Sequence, residues 1–170
     1  MDYFISDLHI DDKNIMTYEH RPFSSLEEMR ETIINNWNSI VSDNDNVYLL
    51  GDIGKDAYVL RELNGFITVV MGNHDKEIQT ELFELQRKGH IELFPYPIMI
   101  NNSLWLSHEP IGYMPPECPY LNIHGHLHRF HYGLLDRSWA GGNRYFNVSV
   151  EQINYTPIST KEIATIIGYK

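Results

Sequence analysis

"FITVVMGNHD", residues 66–75, runs from apolar and β-branched side chains straight into a polar tail. Such a run is too short for a buried helix and suits a strand covered on both faces, so the tail falls at the strand's C-terminal end. In α/β folds that is where ligands bind. The same grammar recurs on either side: "YFISDLH" (3–9), "NVYLLGDIG" (46–54), "LWLSHEP" (104–110) and "LNIHGHLH" (121–128). Five such ends imply one shared rim.

The intervening segments read as crossovers. In "SSLEEMRETIINNWNSIV" (24–41), Ser24 or Ser25 precedes Glu27 or Glu28 by three residues, and Leu26, Met29, Ile33, Trp37 and Ile40 follow at helical spacing as core. "DAYVLRELNG" (56–65) predicts a short helix ended by Gly65, and "KEIQTELFELQRKG" (76–89) a longer one ended at Gly89. Later, "RFHYGLLDRSWAGGNRYFNVSVEQ" (129–152) predicts strand, Gly-Gly turn and strand, and "ISTKEIATIIG" (158–168) a helix with a Ser159–Glu162 capping box. Parallel strands first and antiparallel hairpins later suggest two packed sheets with helices outside. No repeat or linker interrupts the pattern, so residues 1–170 are expected to form one domain.

Composition sets bounds on function. With 170 residues and 42% hydrophobic content the chain has enough apolar surface for a core of its own. The N-terminus lacks a basic segment and cleavage site, and no apolar run reaches the roughly 20 residues of a membrane helix, so a cytoplasmic protein with no membrane association is expected. The single cysteine, Cys118, forms no internal disulfide and reads as a passive side chain in a proline-rich loop. A net charge of -10 makes duplex nucleic acid an unfavourable partner. Bound divalent ions would still make one cleft locally positive, which leaves small anionic substrates accessible.

The tails carry Asp7 and His9, Asp52, Asn73 with His74 and Asp75, His108, and finally His126 and His128. Carboxylate, imidazole and amide oxygen without a thiolate set suit two divalent or trivalent ions. Two ions need a bridging carboxylate. Asp52 is the best candidate, because Gly51 before it permits close approach. In "NIHGHLHRFHYG" (122–133) His124, His126 and His128 share a strand parity and His131 does not.

The ordered series "DLH", "GD", "GNHD", "LSH" and "GHLH" across residues 7–128 resembles the calcineurin-like metallophosphoesterases, specifically their small single-domain bacterial and phage members. The resemblance implies an α/β fold: a four-layer αββα sandwich of two mixed β-sheets flanked by helices. It also implies that Asp7, His9, Asp52 and His128 surround one divalent ion, and Asp52, Asn73, His108 and His126 the other. Manganese is favoured for the pair, with iron, zinc and nickel as alternatives. The implied reaction is in-line attack of a metal-bridging hydroxide on phosphorus, with His74 as general acid.

Around this set the roles are less determined. In protein phosphatases of the family an aspartate three residues after the Gly-Asp aspartate orients the catalytic histidine. Here Lys55 holds that offset and Asp56 follows, so Asp75, Asp56 or a backbone carbonyl is left to orient His74, and a Ser/Thr protein phosphatase is disfavoured. His124 reads as a supporting or hydrogen-bonded group rather than a ligand. His20, His90 and His131 read as surface or structural.

Three residues are candidate substrate contacts. Asn14 and Arg21 lie in "DDKNIMTYEHRPF" (11–23), where Arg21 either pairs with a phosphoryl group or packs in a salt bridge. Tyr113 lies in the proline-rich "EPIGYMPPECPY" (109–120), which either stacks on a base or sugar or only routes the chain. The expected partner is a small phosphorylated metabolite or nucleotide, as monoester or diester. A single-strand nuclease or cyclic-nucleotide phosphodiesterase is the enzymatic alternative. A noncatalytic scaffold, like the family-related retromer subunit, is disfavoured because no ligand type is missing. Oligomeric state is open.

Overall fold

The computed structural model describes residues 1–112, 114, 119–130 and 144–168. Two mixed sheets face each other. The first has the order β4-β3-β2-β1-β9, in which β1 (Asp2–Ile5), β2 (Asn46–Leu49), β3 (Phe66–Val70) and β4 (Ile91–Phe94) are parallel and β9 (Ile158–Ser159) is antiparallel to β1. The second has the order β5-β6-β7-β8, from β5 (Ile98–Ile100), β6 (Leu104–Ser107), β7 (Leu121–His124) and β8 (Tyr145–Asn147). Only β5 and β6 pair antiparallel there. The later β5–β6 pair is antiparallel as expected, β8 lies parallel to β7, and the hairpin expected about Gly141-Gly142 falls outside the described residues.

Strand periodicity explains the unbroken apolar runs. Ile5, Val47, Leu49, Ile67 and Val69 join one buried cluster with Met29, Ile33, Trp37, Leu82 and Leu85 from the covering helices. Phe4, Leu50 and Val70 turn the other way and meet Leu106 and Ile123 between the sheets. Each buried side chain of this size contributes about 1.5–3 kcal/mol, so neither face tolerates a polar substitution without compensation.

Helix α1 (Lys13–Tyr18) begins where the Asp12 carboxylate accepts from Asn14 N. Helix α2 (Leu26–Ile40) begins at Ser25, whose hydroxyl accepts from Glu28 N. The Glu28 carboxylate turns back to Ser24 instead, at 2.7 Å from its N and 2.5 Å from its Oγ, so both serines are used. "DAYVLRELNG" yields only a 3-10 turn at Ala57–Arg61. Helix α3 (Gln79–Arg87) starts later than expected, after a 3-10 turn at Asp75–Ile78, because the Asp75 carboxylate is committed to other backbone amides. Helix α4 (Thr160–Ile167) has the expected capping box and places Ile163 in the inter-sheet cluster. On the outer face of the second sheet, Asn122 receives Ile111 N, so the described residues put a loop there. No helix of the described residues is long and apolar enough to cross a membrane.

Candidate metal centre

The rim at the C-terminal ends of β1, β2, β3, β6 and β7 gathers the five polar tails, and unusual backbone geometry makes this possible. Asp7, His9, Asp52, His126 and His128 all take positive φ, at 60°, 48°, 54°, 69° and 49°. Left-handed backbone costs about 1–3 kcal/mol at a non-glycine residue and concentrates at functional sites, so the strain must be offset by surrounding contacts. Those contacts are present. Asp7 N donates to Gly51 O at 3.0 Å, His9 N to Asp52 O at 3.0 Å and Ile10 N to Ile53 O at 2.8 Å, zipping the first two loops together.

Two glycines let the loops close. A Cβ on Gly72 would lie 2.2 Å from Asp52 Oδ1, and one on Gly125 would lie 2.0 Å from Ser6 Oγ and 2.4 Å from Asp7 Oδ2. Neither neighbour has room to retreat, since Ser6, Asp7 and Asp52 are 2% exposed or less. His126 N donates to Asp7 Oδ2 at 2.9 Å across the Gly125 contact.

Asp52 occupies the middle. Its Oδ2 lies 3.6 Å from His9 Nε2 and 3.3 Å from His108 Nε2, while Oδ1 accepts from His74 N at 2.9 Å. On one side Asp7, His9 and His128 offer atoms within 4.8 Å of one another, and His128 Nε2 is 3.8 Å from Asp7 Oδ1. On the other side Asn73 Oδ1 lies 3.0 Å from His108 Nε2 and 3.1 Å from His126 Nδ1, with those nitrogens 3.2 Å apart. The seven expected ligands therefore meet around one central carboxylate.

The electrostatics suit a cation. Burial pushes the His9 imidazole down to about 4, so it is neutral at pH 7, and among the described residues its buried Nε2 has no hydrogen-bond partner. A buried ring nitrogen left unpaired beside Asp52 is costly unless a partner meets it. Burial also opposes charge on His108, but the hydrogen bond to Asp52 and the charges of Asp7 and Asp52 overcome it and raise the ring to about 9. Asp52 answers in kind: burial would raise it, and its contacts with His108 and His74 N hold it down at about 2. His108 Nδ1 donates to Leu50 O at 2.8 Å, which aims Nε2 at Asp52 and Asn73. Buried oxygen and nitrogen donors with no thiolate fit divalent ions of the borderline class.

The supporting residues divide differently from expectation. Asp75 is fully buried and accepts from Gly72 N, Ile53 N and Asp52 N at 2.7–3.0 Å, so it stabilises the loops and does not reach the His74 ring. Asp56 caps the 3-10 turn through Tyr58 N and pairs with Arg30 at 2.9 Å, away from His74. Both are corrected as orienting groups. Among the described residues no hydrogen bond holds the exposed His74 ring, which stands edge-on to His9 with centroids 5.6 Å apart.

Arg21, one of the substrate-contact candidates, is buried, and its donors are taken by Glu151 Oε1, Leu8 O and Asp7 O. The salt-bridged alternative describes it, because a guanidinium so occupied has no fork left for a phosphate. Asn14 is exposed on α1, and Tyr113, Cys118 and His131 lie outside the described residues. His124 is fully buried, bonded through Nδ1 to Gly125 O at 2.9 Å, and burial lowers it to about 4. It stands outside both donor groups.

Sequence reasoning missed Glu151. Burial would raise its carboxyl, yet His128 and Arg21 hold it down at about 2. A lone acid in "NVSVEQ" carries no periodic or spacing signal.

Relatives agree with this architecture without naming an activity. An uncharacterized protein of Methanocaldococcus jannaschii, MJ1445, is 40% identical over 173 residues, spanning 97% of this chain and 90% of that one. The crystal structure of AQ665, a protein of unknown function from Aquifex aeolicus, matches with a TM-score of 0.74 at 28% identity over 98% of this chain and 99% of that one. The family model described as calcineurin-like phosphoesterase matches residues 3–163, nearly the whole described sandwich and every candidate ligand, and the chain belongs to that family.

Proposed function

We propose that the protein is a metal-dependent phosphoesterase acting on a small phosphorylated metabolite or nucleotide, with two divalent ions held by Asp7, His9, Asp52 and His128 and by Asp52, Asn73, His108 and His126. The observation that carries this reading is Asp52 Oδ2 lying between His9 Nε2 and His108 Nε2, at 3.6 and 3.3 Å. Manganese is the favoured metal. When bound, the ions supply an acidified water for attack on phosphorus and positive charge for the phosphoryl oxygens.

The chain's own residues do the rest. Asp7 and Asp52 bring two negative charges to a buried floor, His108 is aimed by Leu50 O, and Asn73 adds a neutral donor at the exposed edge. His74 stands exposed at that edge, where an imidazole can give a proton to a departing alkoxide. The protein is proposed to act in the cytoplasm.

The test is a panel on metal-stripped protein reconstituted with each candidate ion: para-nitrophenyl phosphate, its bis-ester, 2',3'-cyclic nucleotides and short single-stranded oligonucleotides. Manganese-dependent release from the small esters is expected. Turnover no better than the metal blank across the whole panel would overturn the assignment, and oligonucleotides as the best substrates would replace it with a nuclease.

A further inference from the structure

Glu151 is 1% exposed at its side chain and belongs to neither donor group. Its Oε1 accepts from Arg21 Nε at 2.9 Å and lies 2.7 Å from Nη2, while Oε2 lies 3.2 Å from His128 Nδ1. Arg21, whose side chain is 0% exposed, donates from Nη1 to Leu8 O and from Nη2 to Asp7 O, both at 2.7 Å. One carboxylate therefore joins two ligand-bearing loops that are distant in sequence, "SDLH" after β1 and "GHLH" after β7.

A buried ion pair is a poor way to gain stability alone, because desolvation cancels much of the attraction. It is a good way to fix directions. A proton on His128 Nδ1 shared with Glu151 leaves Nε2 with its lone pair, on the side of the ring that faces Asp7. A carboxylate behind a ligating imidazole also raises its basicity. Glu19, His128 and Glu151 come within 4.8 Å of one another too, but the Arg21 guanidinium already fills Oε1, so a cation there would meet a fixed positive charge.

We infer that Glu151, locked by Arg21, is a positioning residue that sets the ring of His128 and the carbonyl turn of Asp7, and so determines the affinity of the ion these residues share with His9 and Asp52. The inference rests on the two-ion reading above and assigns its two halves different supports.

The test is calorimetric titration of the metal-stripped full chain with Mn2+, together with melting of the metal-free protein. In wild type two binding steps are expected. Glu151→Gln, which preserves shape and some hydrogen bonding, should weaken one step about 10–100-fold and leave the other unchanged. Arg21→Lys, which cannot span Glu151 and both carbonyls, should weaken the same step. Asn73→Ala should weaken the other. Metal-free melting of Glu151→Gln should fall, because the buried Arg21 is left without its counter-charge, so weakening confined to one binding step separates positioning from a general loss of structure. Unchanged isotherms, or both steps weakening together with a large fall in metal-free melting, would overturn the role. Wild-type protein that binds no ion would instead overturn the metal-dependent reading, and this inference with it.

Discussion

Around Asp7, His9 and His128 the donor side chains are 0–15% exposed and backed by a buried Glu151–Arg21 pair, whereas across Asp52 the exposed Asn73 joins His108 and His126 with no charge of its own. Both halves share the same central carboxylate and the same rim. A buried carboxylate such as Asp7 needs fixed partners, whereas an amide donor open to water does not. His108 is intermediate, a buried ring fixed by the neutral Leu50 carbonyl.

If Asp52 is the element common to both halves, Asp52→Asn should erase the distinction between them. Losing a bridging charge should cost both ions affinity and lower turnover about a thousandfold, the equivalent of several kcal/mol of charge stabilisation. Elemental analysis and steady-state rates check this, and a protein that keeps two ions and ordinary rates would mean that Asp52 is not common to the two halves. His74 probes the exposed half more narrowly. His74→Ala should keep its metal content and lose turnover about 10²–10⁴-fold on substrates with poor leaving groups. Equal rates on a confirmed substrate would remove the general-acid role.

The pH response of the metal-free chain sharpens the electrostatic side. His108 is raised from 6.5 to about 9, so its contribution to stability is complete below pH 6.5 and is lost as pH rises through about 9. His9 and His124, lowered from 6.5 to about 4, contribute above pH 6.5 and lose that contribution as pH falls through about 4. Melting temperatures in chelator should therefore peak near pH 6.5, and manganese should flatten the alkaline arm by replacing the His108 proton. An alkaline arm equally steep with the ion bound would mean that His108 does not meet metal.

The smallest effect is expected outside the centre. Arg30 pairs with Asp11, Asp56 and Glu62 at the surface, and Arg30→Met should cost no more than about 1 kcal/mol and leave metal content and turnover unchanged. A large loss of activity would return Asp56 to the site.

Much of the centre was legible because strand ends announce themselves. Alternation between apolar run and polar tail placed the seven candidate ligands at one rim, and α2 and α4 were visible from periodicity and caps. The supporting contacts were not. Asp75 looked like a partner for its neighbour His74, yet its carboxylate serves three backbone amides, because a turn with left-handed Asp52 leaves those amides unpaired by any ladder. Arg21 and Glu151 are 130 residues apart in the chain, and no local pattern connects them. The parallel pairing of β7 and β8 was hidden for the same reason, since strand direction depends on the path of a connection and not on the strand's own residues.

Strand length, alternation and residue chemistry are local properties, and they suffice to say which side chains have metal-binding chemistry and at which end of the strands they stand. Which of them lie against Asp52, which are backed by a buried ion pair, and the inward turn of Arg21 emerge only in the folded chain. Those outcomes depend on contacts between loops from different strands, where burial sets whether a charge is partnered by protein or left for a ligand.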